Sequence, residues 1–383
     1  MSAQPVKPRG GKHAGRLLAA GLALGALLLA APDAKAQRSG DFDHEGLAKQ
    51  MLEIHIQPGY DKFAGTAAAL KSSLEAACKQ RDAKSGEAAK AAFRDAVLAW
   101  SRVEHLRFGP ATDANRFERV VFWPDRQKIG ERQVAQILAK KDETALVAAD
   151  LHAKSVAVQG LTALEVVLYA KSSGDVLADT PDAKFACGYA VAIAGNLATI
   201  GRDIAADWAN GGRFAEIWLK PSDQNPLFKD SSGPTNLLLN AYKFGINNPR
   251  EIKLLPSLGL KRAGVGGPFA PKSRPPFELS CLSLPSMIAN TEGVLHLYEK
   301  GGFAERLAVN EPPSDKLIRS ALASVIAGMR EMEPGCVTAF NDKASMDKLA
   351  LVREPFVSAL LAGGEALATE SGMVLGFTDD DGD

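Results

Sequence analysis

Between Lys154 and Lys171 a single side chain bears a formal charge, Glu165, within GLTALEVVLYA (Gly160 to Ala170). Thr162, Glu165 and Tyr169 stand at i, i+3 and i+7, so a helix would place them on one face. Leu161, Leu164 and Leu168 form the stripe beside them, and a segment this apolar all round is expected to be buried all round. A carboxylate there needs a cation, hydrogen-bond donors or a metal, or else it keeps its proton with a raised pKa. Two roles stay open. Glu165 either meets Arg107 or Arg119 in a buried pair that sets helix register, or faces a pocket and takes a ligand or metal ion.

Other chemistry-bearing residues are each open to two readings. Arg107 ends a helix at LRFGP, where it interacts with the helix dipole or reaches an anionic ligand or Glu165. Asp125, in FWPD, caps the segment that follows or lines a cleft. Ser283 opens a helix, as an N-cap or as part of an anion site. His44, His55, His105, His152 and His296 read as ordinary surface or core histidines. Glu104 and His105 are adjacent and so point about 100° apart on a helix, and His152 precedes Thr162 by about 15 Å of helix axis. HExxH is absent, GVGGPF lacks the Lys-Ser/Thr of a phosphate loop, and no nucleophile triad is legible in the spacing. Cys78, Cys187, Cys281 and Cys336 form no CxxC; they allow two disulfides in three connectivities, or four buried thiols.

The elements that must position these residues are helices. Periodic apolar patterns predict helices over Glu45–Ile56, Tyr60–Lys79, Ser85–Arg107, Glu131–Ala139 and Ala183–Asn210, then Leu284–Lys300, Ser314–Met332 and Ser345–Glu370. Another runs from Asp142 to about Ala170, with a break expected at Gly160. Pro58-Gly59, Pro249 and Pro256 are expected to stop helices. The Gly/Pro/Ser/Asn-rich stretch 211–233 reads as a loop and domain boundary, and the long Gly/Pro-rich loop 260–280 reads as functional. No strand alternation appears. The fold class is all-α: two side-by-side helical bundles, four-helix-bundle-like, over 37–215 and 216–383, with a cleft between them.

Residues 1–36 read as a signal peptide. Lys7, Arg9, Lys12 and Arg16 precede the apolar Leu17–Ala31, and Ala34-Lys35-Ala36 offers a cleavage site. Cleavage removes five bases and one acid and takes the formal net charge from 0 to −4. That leaves no basic cluster for nucleic acid or anionic membranes and no transmembrane segment in the mature chain. Asp379, Asp380, Asp381 and Asp383 read as a solvated tail.

AWSRVEHLRFGP (Ala99 to Pro110), FWPD, GLTALE, NLLLNAYKFGINNPREIKLLPSLG (Asn236 to Gly259), SLPSMIANTEGVL (Ser283 to Leu295) and GFTDDDGD (Gly376 to Asp383) together resemble, in order, the imelysin-like proteins. The resemblance implies an exported, all-helical, two-bundle protein with a site in its cleft. It implies a periplasmic binding or accessory role in iron or other metal uptake rather than enzymology. A metallopeptidase, or a partner-binding scaffold with a decayed site, are the alternatives. The family hallmark is GxHxxE. Gly160 and Glu165 match it, but Thr162 stands at the histidine position, replacing an imidazole ligand by a neutral hydroxyl. Relatives carry Trp-Arg-Ser just before the helix at Ser283; here Leu279-Ser280-Cys281-Leu282 lacks the arginine. The implied cleft set is Gly160, Thr162, Glu165, Arg107, Asp125 and Ser283. Glu165 is its candidate ligand for a divalent metal or iron, and the partners are a small ligand or metal ion and periplasmic iron-uptake proteins.

Overall fold

The computed structural model describes residues 42–125, 127–261, 272–332, 336 and 338–373. The signal-peptide segment with its site near Ala36 and the acidic terminus Asp379–Asp383 lie outside them. Among the described residues there is helix and no strand, as the periodicity predicts.

The first bundle is built on α2 (Gln57–Gln80), α3 (Ala83–Val103) and α6 (Pro181–Trp208), with α2 packed along both of the others. The stripe Tyr60, Phe63, Ala67, Leu70, Leu74 and Ala77 is buried, at the three-and-four spacing that gives a helix one apolar side. Local caps fix the starts: Asp82 accepts from the Ser85 N–H at 2.7 Å, and Thr180 accepts from the Ala183 N–H ahead of Pro181. Against α6 lies α5 (Leu161–Tyr169), and against α5 lies α4 (Ile129–Lys140).

The second bundle comprises α7 (Ser232–Asn247), α8 (Ser283–Lys300), α9 (Pro312–Arg330) and α10 (Arg353–Glu370). The two sets meet where α3 packs on α8. There Gly293 lies directly on the Arg102 backbone, and an added Cβ would sit 2.9 Å from the Arg102 carbonyl carbon as well as on its oxygen. Only a residue without a side chain allows this approach.

Several local expectations need correction. Pro58 and Pro249 end nothing. The chain runs from α1 (His44–Met51) through a π-helical turn, Leu52–Ile56, directly into α2, and from α7 through a second π-helical turn, Asn248–Leu254. Each proline falls where one hydrogen-bond register hands over to the other, so its missing N–H breaks no regular ladder. The stretch 211–233 holds a helix, Arg213–Leu219, because Phe214 and Trp218 at i, i+4 bury against Trp208. The expected Asp142–Ala170 helix is four short pieces, Glu143–Leu146, Ala148–Ala153, Val156–Val158 and α5. Its last break is at Gly160, with φ +95°.

Of the three disulfide connectivities the protein has Cys78–Cys187, tying α2 to α6, and Cys281–Cys336. No described cysteine is free.

Candidate functional site

Glu165 sits in the middle of α5, 6 % exposed, among Leu161, Ala163, Leu164, Val166 and Val167. Neither Arg107 nor Arg119 reaches it. Its partner is Ser280, 115 residues away, whose backbone N–H and hydroxyl both donate to Oε1, at 2.8 and 2.6 Å. Both bonds fall on one oxygen. Among the described residues Oε2 has no hydrogen-bond partner.

Ser280 comes from the Gly/Pro-rich segment that precedes α8, next to the Cys281–Cys336 bridge. That segment also brings Arg274, which pairs with Glu278 at 2.7 Å and with Glu131 of α4 at 3.2 Å. Burial pushes the Glu165 carboxyl up to about 7, against the pull of the two Ser280 bonds and the Arg274 charge and with a smaller push from Glu278. Tyr169, one turn on, is raised to about 12 by burial first and by the Glu165 charge second. The group at the centre is therefore a carboxyl poised between its two forms near neutral pH, able to donate or accept a hydrogen bond.

The other sequence candidates are placed as follows. Gly160 is structural: its backbone lies against the Arg119 and Val120 carbonyls. The Thr162 hydroxyl accepts from the Phe122 N–H at 3.4 Å, which ties α5 to the FWPD segment. Asp125 is a cap, accepting from the Ile129 and Gly130 N–H groups at 2.7 and 2.8 Å at the start of α4. Arg107 pairs with Glu118 at 3.3 Å and lies over the Phe117 and Phe244 rings. Ser283 is buried at the start of α8, three residues past Ser280, and its carbonyl accepts from the Ser286 hydroxyl. Glu165 and Thr162 share α5, and Ser283 shares the Ser280 segment; Arg107 and Asp125 are engaged elsewhere. Trp123 Nε1, in the FWPD segment, and Gln133 Oε1, on α4, are buried without a hydrogen-bond partner among the described residues.

A resident metal ion does not fit this donor set. One carboxyl and one hydroxyl already bonded to a backbone N–H are short of the three or four ligands such ions take. Among the described residues no three His, Cys, Asp or Glu side chains are arranged to hold a metal ion.

The raised Glu165 carboxyl sets a pH dependence. A folded value above the unfolded 4.5 means that the folded state holds a proton the unfolded chain has released. The stabilisation is complete below about 4.5 and is lost as pH rises through about 7. Glu165→Gln keeps an acceptor for Ser280 and removes the titration, so at pH 8 it should be more stable than the parent by up to about 3 kcal/mol. At pH 4 the two should be nearly equal. Urea midpoints at both pH values measure this, and an advantage that does not change with pH refutes it.

Ser280 is the residue that sequence reasoning did not select. It lies in the segment read as functional and at the stretch where an arginine was missed, but nothing local points a serine at a carboxyl 115 positions earlier. The histidines were also undervalued: His55, His105 and His296 are brought together, with His55 Nε2 to His105 Nε2 at 2.9 Å and His55 Nδ1 to His296 Nδ1 at 2.8 Å.

The sequence model of the imelysin family, peptidase group M75, matches residues 56–354. Among solved structures, an imelysin-like protein from Psychrobacter arcticum superposes with a TM-score of 0.70 at 21 % identity, covering 87 % of this chain and 97 % of its own. A candidate iron-regulated protein A precursor from Parabacteroides distasonis superposes with a TM-score of 0.68 at 15 % identity, covering 85 % of this chain and 95 % of its own. At these identities the likeness is one of fold. No curated protein matches the chain.

Proposed function

We propose, from the premise that this chain belongs to the imelysin family, that it is an exported binding or accessory protein of iron acquisition. On this reading it takes its ligand by hydrogen bonds at Glu165 rather than by coordinating a bare cation. The observation that supports this is the half-used carboxyl: Oε1 is held twice by Ser280, while Oε2 has no hydrogen-bond partner among the described residues. Thr162 in place of the hallmark histidine removes the second strong metal ligand, and Ser280, in the turn before α8, is bonded to α5 at this point. The iron link rests on a structural relative described as iron-regulated. Export, to the periplasm of a two-membrane cell, rests on the basic and apolar pattern of the first 36 residues and on the precursor status of that same relative. Hydrolysis by a zinc-peptidase route has no donor set to support it here, and Glu165 alone cannot be both ligand and general base.

The reading is tested by calorimetric titration with ferric citrate and, separately, with free Zn2+. We expect saturable binding of the organic ferric chelate, kept by Glu165→Gln, lost by at least tenfold in Glu165→Ala, and no stoichiometric binding of free Zn2+. A tight, stoichiometric free cation that is lost in Glu165→Ala would make the carboxyl a direct ligand. Silence toward both probes would remove the reading.

A further inference from the structure

The three-histidine chain lies on different residues from the Glu165 site and draws on nothing proposed for it. His55 belongs to the first π-helical turn, His105 lies just past the end of α3, and His296 is in the middle of α8. His55 and His105 are 5 % and 2 % exposed, while His296 is exposed. The chain therefore leads from solvent into the core. Its inner end, His105 Nδ1, is buried and has no hydrogen-bond partner among the described residues.

Proton counting fixes the direction of this chain. A neutral imidazole has one N–H, and His55 uses both ring nitrogens, so it donates to one neighbour and accepts from the other. If His55 donated inward, His105 would have to carry its proton on Nδ1, a buried donor with nothing to accept it. If His55 donates outward, His105 donates from Nε2 and leaves only a lone pair unsatisfied, which costs less. The favoured order is thus His105 Nε2–H to His55, His55 Nδ1–H to His296, and His296 Nε2–H to water. One proton arriving on His296 Nδ1 reverses the order. His55 must then accept there and donate from Nε2, and His105 is left with an orphan Nδ1–H in the core.

We propose that His296, His55 and His105 form a proton-operated latch that ties the Leu52–Ile56 turn to α3 and α8 when neutral and releases it when protonated from the His296 end. Little around the chain would stabilise a cation. Glu53 and Asp61 are exposed, His44 of α1 is bonded to Thr235, and Glu104 is held by Lys253. On α8, Lys300 adds a like charge beside His296; Glu299 opposes it more weakly and is itself held by Arg319, and Glu292 is held by Arg102. From α7, Gly245 abuts the His105 ring and Lys243 is half-buried. Among the described residues no carboxylate bonds to any of the three rings. Burial lowers all three histidines, His105 to about 3. The sign follows: the unfolded chain takes up these protons below about 6.5 and the folded one refuses them, so the latch weakens as pH falls below 6.5. The 2.8 and 2.9 Å nitrogen separations leave no room for an intervening cation, whose two bonds of about 2.0–2.1 Å hold tetrahedral ligands roughly 3.3 Å apart.

Two measurements on the full folded chain test the latch. Nitrogen-correlated NMR of the imidazoles at pH 7.5 should give Nε2–H, Nδ1–H and Nε2–H tautomers for His105, His55 and His296. Amide exchange over Leu52–Ile56, corrected for intrinsic rates, should report at least tenfold more opening at pH 5.0 than at pH 7.0, with α6 unchanged. His296→Gln, at an exposed position where folding is not at stake, should cut that increase to threefold or less by removing the entry point. The latch is overturned by the reverse tautomers, by opening that rises less than twofold, by an unaltered rise in His296→Gln, or by added Zn2+ shifting all three imidazoles together.

Discussion

Gly160→Ala is expected to cost about 4 kcal/mol or more, or to yield no folded protein at all. Two independent penalties coincide. The backbone there has φ +95° and ψ −177°, a region open almost only to glycine. An added Cβ would be driven into the Arg119 carbonyl oxygen and stand 2.7 Å from that of Val120. Both obstacles are backbone, on the segment that leads into FWPD, so neither can turn aside as a side-chain tip could. A control separates the two penalties. Gly174 lies in the same backbone region, φ +69° and ψ −166°, but nothing lies within 4 Å of its missing Cβ, so Gly174→Ala should show the backbone penalty alone, about 1–3 kcal/mol. Urea denaturation of both variants decides the matter, and a Gly160→Ala as mild as Gly174→Ala would show that the segment can give way. The expected result assigns the glycine of the family motif to construction. It lets α5 begin hard against residues 119–120, and thereby sets where Glu165 can be.

That division explains which parts of the site were legible in the sequence. Glu165 stood out because an isolated carboxyl in an apolar helix is a local anomaly, visible in a window of a dozen residues. The long helices were legible for the same reason, since their periodicity is local. Ser280 was not, because its role exists only once the segment before α8 is laid across α5. Asp125 stayed open between a cap and a cleft residue, and the cap that the structure shows is a contact made within five residues. The histidines failed differently. Their individual contexts are unremarkable, and the turn that aims His55 inward is π-helical, a register that no 3.6-residue pattern anticipates. Pro58 and Pro249 misled for the same reason: they punctuate an α-helix but are tolerated where the ladder changes register.

The second π-helical turn makes the other large prediction. Lys253 is 1 % exposed, and its ammonium donates to Glu104 Oε2 at 2.6 Å and to Asn290 Oδ1 at 2.8 Å. Asn290 in turn donates to Glu104 Oε2 at 2.8 Å and to the Ser101 carbonyl at 2.7 Å. One ion pair and one amide thus bolt the Asn248–Leu254 turn, the end of α3 and the middle of α8 together, with α8 being the helix that the Ser280 segment leads into. Lys253→Met removes the cation and leaves the Glu104 carboxylate buried without it, a loss expected to be about 3–5 kcal/mol. The pair itself need not be worth that much, because desolvating two ions offsets most of their attraction. Glu104→Leu combined with Lys253→Met should therefore be far less damaging than Lys253→Met alone. It should recover part of that loss, leaving about 2 kcal/mol for the Asn290 oxygen without its donor and the Asn290 N–H without its Glu104 acceptor. Urea midpoints with unchanged slopes measure each arm of this cycle. Additive losses would mean that Glu104 and Lys253 act separately and that the ion pair does not couple the turn to the end of α3.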